Sequence, residues 1–348
     1  MSSLSSRVTA VCLALLFSFT AYAPGARAEA LRAQTDGGVR CLVPVGHTVG
    51  VKLFADGVLV VGLSDGETPA RTSGLREGDV LISFNGIELD STERLQQLLA
   101  ENGEARATLS VKRGSQTLTL PVSPCEGEDG TVRLGAWIRD SMAGIGTMTF
   151  YDPQTGAFGA LGHGVTDVDT GALMPLERGS IMDATVKAVK RGEKGSPGEL
   201  RGDFDLTCDS GSLNANTSCG IFGRITGESN AITEQKTVPI AQRGEVRTGK
   251  ATILANIAGD EVGEYDVEIE RIYTSLSPTR NMLVRVTDPE LLEKTGGIVQ
   301  GMSGSPILQD GRLVGAVTHV LVNDSTRGYG ILIENMLAAA KLEGEKAS

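Results

Sequence analysis

Alternation of apolar and polar residues is the dominant pattern along this chain. It recurs in "VGVKL", "GVLVVGL", "ARATLSVKR", "QTLTLPV", "TVRLGAWI", "ATVKAVKRG", "KATILANI", "EYDVEIERIY", "NMLVRVTD" and "YGILIE", separated by polar or glycine-rich connections. A period of two sends successive side chains to opposite faces, so each run predicts a short strand with one buried face. Two stretches follow the helical period instead. In "STERLQQLLAEN" the residues Leu95, Leu98 and Leu99 share one face, with Asp90 and Glu93 spaced as a capping box; the other stretch runs from about Asn335 to Leu342 and leaves "EGEKAS" as a tail. No unit of roughly 20 to 50 residues repeats, which argues against a solenoid. With 45 glycines among 348 residues, connections should be tight and numerous, and the expected fold class is mostly β, a barrel or sandwich.

One stretch asks for more than a strand. In "GIVQGMSGSPILQDGRLVGAVTHV", Gly297 to Val320, a strand is predicted at Ile307 and Leu308, a turn at Gln309-Asp310-Gly311-Arg312 and a partner strand from Leu313 to Val317. Ser303 therefore stands between glycine neighbours on a turn at the mouth of a hairpin.

Composition places the chain in a compartment. Residues 1–28 carry one early arginine, an apolar run from about Val8 to Phe19 and a small-x-small site at Ala26-Arg27-Ala28, the pattern of an export signal. The run is shorter than the roughly 20 residues of a spanning helix, although a retained segment would allow membrane association. Cleavage would remove Arg7 and Arg27 and no acid, moving the formal charge from -11 to -13. The expected location is outside the cytoplasmic membrane: secreted, periplasm-like or in an intermembrane space. The acidic balance argues against nucleic acid as a partner, because phosphate binding needs clustered Lys and Arg. Cys12 belongs to the signal. Cys41, Cys125, Cys208 and Cys219 remain, without a close C-x-x-C pair, which favours disulfides over a metal site.

Between residues 45 and 124, the run Gly74-Leu75-Arg76-x-Gly78-Asp79-x-Leu81-Ile82-x-x-Asn85-Gly86 resembles a PDZ domain. That resemblance implies a groove that takes an extended peptide by β-augmentation, with Gly50, Val51, Lys52 and Leu53 as its edge strand and the helix beginning near Ser91 opposite. The approach sequence "PVGHTVG" is not the usual carboxylate loop, so an internal segment is an alternative ligand. PDZ ends lie close together, which implies pairing of Cys41 with Cys125 and leaves Cys208 for Cys219.

Hydrolytic chemistry at a serine needs a base, an orienter for the base and donors aimed at the developing oxyanion. Only His47, His163 and His319 are available. His163, in "FGALGHGVTD", lies between glycines after an apolar strand. Gly301-Met302-Ser303-Gly304-Ser305-Pro306 is similar to the Gly-x-Ser-Gly-Gly-Pro turn of chymotrypsin-like peptidases, with Ser305 in place of the second glycine; the similarity implies an oxyanion hole from the N–H groups of Gly301 and Ser303. Asp140, Asp152, Asp167, Asp169, Asp288 and Asp324 all stand near a strand or motif and are alternatives as the acid. His319 reads as a pocket or structural residue, His47 as surface and Asn216-Thr217-Ser218 as loop.

Taken with the upstream PDZ-like run, "ALGHGVTD" and "VTDPELLEKTGGIVQGMSGSPILQDGRLVGAVTHVLVNDSTRGYGILIENML" resemble the SpoIVB-type serine peptidases of endospore-forming bacteria, over about Val45 to Leu337. The resemblance implies a PDZ domain (45–124) after a linker (29–44), then a chymotrypsin-like double β-barrel peptidase domain (125–343) and a tail (344–348). It also implies a catalytic set of His163, Asp288 and Ser303, with Asp288 only 15 positions before Ser303 (303 minus 288). A serine endopeptidase of this kind needs no metal or cofactor. The implied partners are a protein or peptide substrate, a membrane-associated regulator cleaved in sporulation signalling, and the chain's own amino-terminal segment. Two other classes stay open: a catalytically idle PDZ scaffold, and a general envelope quality-control protease. The second usually places PDZ after the peptidase domain.

Overall fold

The alternating runs become strands, but their grouping differs from the expected order of domains. The computed structural model describes residues 40–204, 207–232, 236–273 and 278–346. The export signal, and all of the linker up to residue 39, lie outside the described residues. The chain enters through β1 (Cys41–Pro44) and β2 (Thr48–Leu63). "VGVKL" and "GVLVVGL", which read as two strands, form this single strand of 16 residues. Gly57 makes that continuity feasible: its φ is +103°, and a Cβ there would sit 2.6 Å from the Leu81 carbonyl oxygen.

The far half of β2 belongs to a small module with α1 (Pro69–Ser73), β3 (Val80–Phe84), β4 (Ile87–Glu88), α2 (Thr92–Asn102), β5 (Ala107–Arg113), β6 (Gln116–Val122) and the hairpin of β7 (Cys125–Glu126) and β8 (Val132–Arg133). Leu95, Leu98 and Leu99 of α2 pack on Leu81, Phe84 and Leu109. Each fully buried side chain of this size contributes about 1.5–3 kcal/mol. The cap of α2 is Ser91, whose side chain accepts the Arg94 N–H, while Asp90 only accepts the Ser91 hydroxyl. The expected Asp90 cap is thus displaced by one position. In the Gly-Asp turn, Asp79 is fully buried; its carboxylate accepts two N–H groups of Arg113, each at 2.7 Å, and the Arg76 N–H at 2.9 Å.

β9 (Ala136–Asp152) then runs back along β2 for nearly its whole length. Ala136–Arg139 pair with Leu63–Leu59, and Ser141–Thr147 pair with Phe54–Thr48. The module is therefore an insertion between β2 and β9. The expected boundaries at 45 and 124 move, because Val45, Val49 and Val51 pack into the following barrel core rather than into the module.

β10 (Ala157–Ala160), β11 (Arg178–Lys190), β12 (Glu199–Phe204), β13 (Gly211–Thr217), β14 (Gly220–Ile225) and β15 (Val238–Pro239) follow. The circuit β2-β9-β10-β14-β13-β11 closes on itself as the first barrel. A second closed barrel contains β16 (Gly249–Ala258), β17 (Glu261–Ile272), β18 (Met282–Val286), β19 (Pro306–Gln309), β20 (Arg312–Leu321) and β21 (Asp324–Leu332). Its interior buries Ile253, Val284, Met302, Ile307 and Val317 completely. α3 (Pro289–Thr295) interrupts this barrel and α4 (Ile333–Lys346) follows it, taking in most of the stretch that reads as tail. The β19–β20 turn has positive φ at both Asp310 and Gly311, the twist-matched geometry of a two-residue hairpin. The expected class, mostly β with a PDZ module and a chymotrypsin-like pair of barrels, is the class observed.

No disulfide joins the four cysteines. The ends of the module that meet are Phe54 and Ser141, direct partners in the β2–β9 ladder, so the convergence expected of Cys41 and Cys125 falls elsewhere. Cys41 lies on β1, paired to Pro239, and Cys125 lies on the β7–β8 hairpin. Cys219 is buried, packed with Phe222 and Met336, and Cys208 is exposed.

Replacing Asp79 by Ala orphans the Arg76 N–H and leaves Arg113, itself about a quarter exposed, with only the Gly74 carbonyl as acceptor. The expected loss is about 2–3 kcal/mol of module stability, read by urea denaturation.

Candidate active site

The segment from Gln300 to Ser305 is a tight turn whose carbonyls are nearly all engaged. The Gln300 carbonyl accepts the Leu200 N–H from β12 at 2.8 Å, and the Met302 carbonyl accepts the Ser305 N–H at 3.0 Å. In a trans peptide the C=O and the following N–H point opposite ways. The N–H groups of Gly301 and Ser303 are therefore turned to the other side, and among the described residues they meet no acceptor. Two N–H donors left unpaired beside a hydroxyl are what an oxyanion hole requires. Gly304 permits the approach of the first barrel: its φ is +101°, and a Cβ there would lie 2.0 Å from the Thr147 carbonyl oxygen and 2.6 Å from the Leu161 nitrogen.

Ser303 is half-buried, and its hydroxyl donates to the Thr318 carbonyl at 2.6 Å. Ser305 is fully buried and its Oγ has no hydrogen-bond partner. Of the two hydroxyls in the motif, only that of Ser303 is open to a substrate.

His163 follows a bend in which Leu161 and Gly162 both have φ of +68°, an uncommon value for leucine. Its Nδ1 is 2.8 Å from the Gly164 carbonyl. A carbonyl can only accept, so Nδ1 carries the proton and Nε2 keeps the lone pair a general base needs. Burial lowers the pKa of this imidazole below its ordinary value, and the Gly164 contact opposes that only in part. The ring centroid lies 4.8 Å from that of His319, the residue after Thr318, so Ser303, His163 and His319 converge on one seam between the barrels. The pKa of His319 is lowered too, by desolvation first and then by the neighbouring His163 and Arg280.

The loop that carries His163 is held from beneath. Asn216 on β13 accepts the Val165 N–H at 2.8 Å and donates to the carbonyls of Val165 at 2.9 Å and Met174 at 2.8 Å. Asp167, fully buried, accepts the N–H groups of Asp169 and Thr170 and pairs with Arg139 of β9. From sequence, Asn216 reads as loop and Asp167 as a turn or surface carboxylate; the turn role of Asp167 is the one observed, and its burial is what that reading lacks. The available signal is their polarity in strand and turn positions with no exposed role.

Other expected residues lie elsewhere. Asp288 is the N-cap of α3: Oδ1 accepts the Leu291 N–H at 2.9 Å and Oδ2 the Asp266 N–H at 3.4 Å. Both carboxylate oxygens serve backbone donors, and no carboxylate hydrogen-bonds His163 among the described residues. The Asp-Pro pair followed by "ELLEKT" is a helix start, and this local demand takes the carboxylate. Asp140 accepts the N–H and hydroxyl of Thr92, and Asp324 those of Thr326. His47 is buried rather than at the surface, with Nδ1 against the Thr48 carbonyl. Gly50, Val51, Lys52 and Leu53 are not an open edge, because β9 pairs them on one side and β11 on the other. The strand that runs beside α2 is Ala136–Asp140; one of its edges pairs with Leu59–Leu63 and no described strand pairs the other.

Asn216→Leu removes three hydrogen bonds beneath the His163 loop while keeping the branched skeleton of four side-chain heavy atoms. Loss of at least about tenfold in kcat, with the cooperative melt retained at lower temperature, is the expected outcome in paired activity and thermal-denaturation assays.

A family model described as SpoIVB peptidase S55 matches residues 130–337, and one described as PDZ domain matches residues 61–113. HhoA of Synechocystis sp., named as a serine protease, is 35% identical over 72 residues, which is 20% of this chain and 18% of that relative's length. The chain thus spans less than a fifth of the curated relative it matches. Among solved structures, the Rv3671c protease from M. tuberculosis in its active form has 15% identity and a TM-score of 0.33, covering 58% of this chain and 74% of its own. The HtrA-type protease AlgW with a decapeptide has 9% identity and a TM-score of 0.36, covering 87% of this chain and 65% of its own. The peptidase match takes in more than half of the 348 residues, including both His163 and Ser303, and by it the chain belongs to the SpoIVB peptidase S55 family of serine endopeptidases.

Proposed function

We propose that this chain cleaves peptide bonds with Ser303 as nucleophile, His163 as general base and the N–H groups of Gly301 and Ser303 as the oxyanion hole. The observation that carries this reading is the pair of unpaired N–H groups beside an accessible hydroxyl, on a seam shared with an imidazole whose Nδ1–H is fixed. The Ser303 hydroxyl leaves the Thr318 carbonyl and gives its proton to His163 Nε2 as Oγ attacks the scissile carbonyl. The imidazolium then protonates the leaving amine, and water resolves the acyl-enzyme by the same route. Gly164 takes the orienting role expected of Asp288. A neutral carbonyl stabilises an imidazolium less than a carboxylate does, so a modest turnover follows.

Substrate selection we assign to extended protein segments outside the cytoplasmic membrane. A membrane-associated regulator in sporulation signalling and the chain's own amino-terminal segment are the targets we infer, supported by family membership and by the export-signal pattern of residues 1–28. The PDZ module would hold such a segment at the open edge of Ala136–Asp140, beside α2, by backbone pairing.

The test is hydrolysis of an unstructured protein, followed with intact mass, by wild type beside single variants. Ser303→Ala and His163→Ala should each lose at least about a thousandfold in kcat and remain full length, whereas Ser305→Ala should keep both activities. Asp288→Asn preserves the cap and should stay within about threefold of wild type, and Asp288→Ala should cost about 1 kcal/mol of stability. Loss of activity in Asp288→Asn would return the orienting role to that residue. Because the base works only when neutral, its lowered pKa should carry the acid limb of kcat/KM below the ordinary histidine value of about 6.5, with rate lost as pH falls through it. An acid limb at or above 6.5 counts against His163 as the base.

A further inference from the structure

We propose that Thr147 is a positioning residue that sets the relative direction of the two oxyanion-hole donors, an inference that rests on the serine-protease reading above. Thr147 is buried on β9 of the first barrel, yet both of its donors, the hydroxyl and the N–H, go to the turn of the second. Its hydroxyl donates to the Gly301 carbonyl at 2.7 Å, its N–H donates to the Ser303 carbonyl at 3.0 Å, and its own carbonyl accepts the Leu161 N–H at 3.1 Å, two residues before His163. One residue thus touches the turns that carry the nucleophile and the base.

The hydroxyl bond is the informative one. The two hole donors belong to the Gln300–Gly301 and Met302–Ser303 peptides, and the peptide between them is Gly301–Met302. Leu200 and Ser305 hold the carbonyls of the outer two. The middle carbonyl is held by Thr147 Oγ1. Gly301 has φ of +96°, a region open to glycine, where rotation about its two backbone dihedrals is little restricted by side-chain sterics. Without a donor on its carbonyl the middle peptide is held only by its N–H, which donates to the Val299 carbonyl at 3.1 Å, and about that single tether it can tilt so that the donors at 301 and 303 lose their common focus. A buried hydroxyl with one good acceptor in place removes that freedom before substrate arrives, and preorganisation of this kind is what makes hole donors effective. Thr149 supplies an internal comparison. It is equally buried on the same strand and its hydroxyl donates to the Gly304 carbonyl at 2.7 Å, a peptide that lies outside the pair of donors.

The experiment compares the second-order rate of Ser303 labelling by a fluorophosphonate probe, which places a phosphoryl oxygen in the hole, in full-length wild type, Thr147→Val, Thr147→Ala, Thr147→Ser and Thr149→Val. Melting temperatures are measured in parallel. Thr147→Val and Thr147→Ala should label roughly 10- to 100-fold more slowly, Thr147→Ser should recover to within about threefold, and Thr149→Val should lose melting temperature but label at the wild-type rate. Should Thr147→Val fail to melt cooperatively, Thr147→Ala lacks the same hydroxyl without the added methyl and is read in its place. Wild-type labelling in the Val or Ala variant, no recovery with Ser, or equal slowing in Thr149→Val overturns the positioning role while leaving the protease reading intact. Wild type that labels no faster than Ser303→Ala overturns both.

Discussion

The contact on which this molecule depends is the hydrogen-bonded seam between β9 and the Gly301–Gly304 turn. Each barrel closes its own ladder and could satisfy its backbone alone. The turn could not. Its carbonyls at Gly301, Ser303 and Gly304 find donors on the first barrel, from the Thr147 hydroxyl and N–H and the Thr149 hydroxyl. The carbonyls that share peptides with the two hole donors, Gln300 and Met302, are taken by the N–H groups of Leu200 and Ser305, and trans-peptide geometry turns the N–H groups of Gly301 and Ser303 away from those partners. The absence of a side chain at Gly304 is part of the same constraint, because the Thr147 carbonyl occupies the place a Cβ would need.

β9 is also the strand along which the PDZ module is built. Its first residues border α2, Arg139 pairs with buried Asp167 in the loop after His163, and Thr147 reaches the nucleophile turn eight residues further on (147 minus 139). The module is therefore no appendage joined by a free linker. Its ends are ladder partners within a continuous sheet, so the Ala136–Asp140 edge and the catalytic seam share one rigid element. Arg139 and Asp167 are bonded at the surface of that element, where the carboxylate is also satisfied by backbone donors and keeps its charge despite burial.

Much of this was legible in the residues. Period-two runs mark the strands because one face of each is buried, and Leu95, Leu98 and Leu99 mark α2 for the same reason. The Gly-x-Ser-Gly turn is legible because few sequences need small residues on both sides of a serine. The roles of Asp288 and Asn216 were not. A carboxylate before proline can cap a helix or orient an imidazole, and spacing along the chain does not choose between them. A strand asparagine reads as loop until its neighbours are known.

Local terms were already written in the residue order: strand periodicity, helix faces, turn glycines, and a His and a Ser in settings suited to catalysis. Those depend on residues within a few positions of one another. Tertiary structure alone decided that one strand serves both PDZ and barrel, that Gly50–Leu53 is enclosed, that Cys41 and Cys125 do not converge, and that Thr147 meets Gly301. Each of these follows from which groups far apart in sequence come to pair, and at least one partner in every such pair is a backbone group, the same at every residue, so nothing in the side-chain text records which of them will meet.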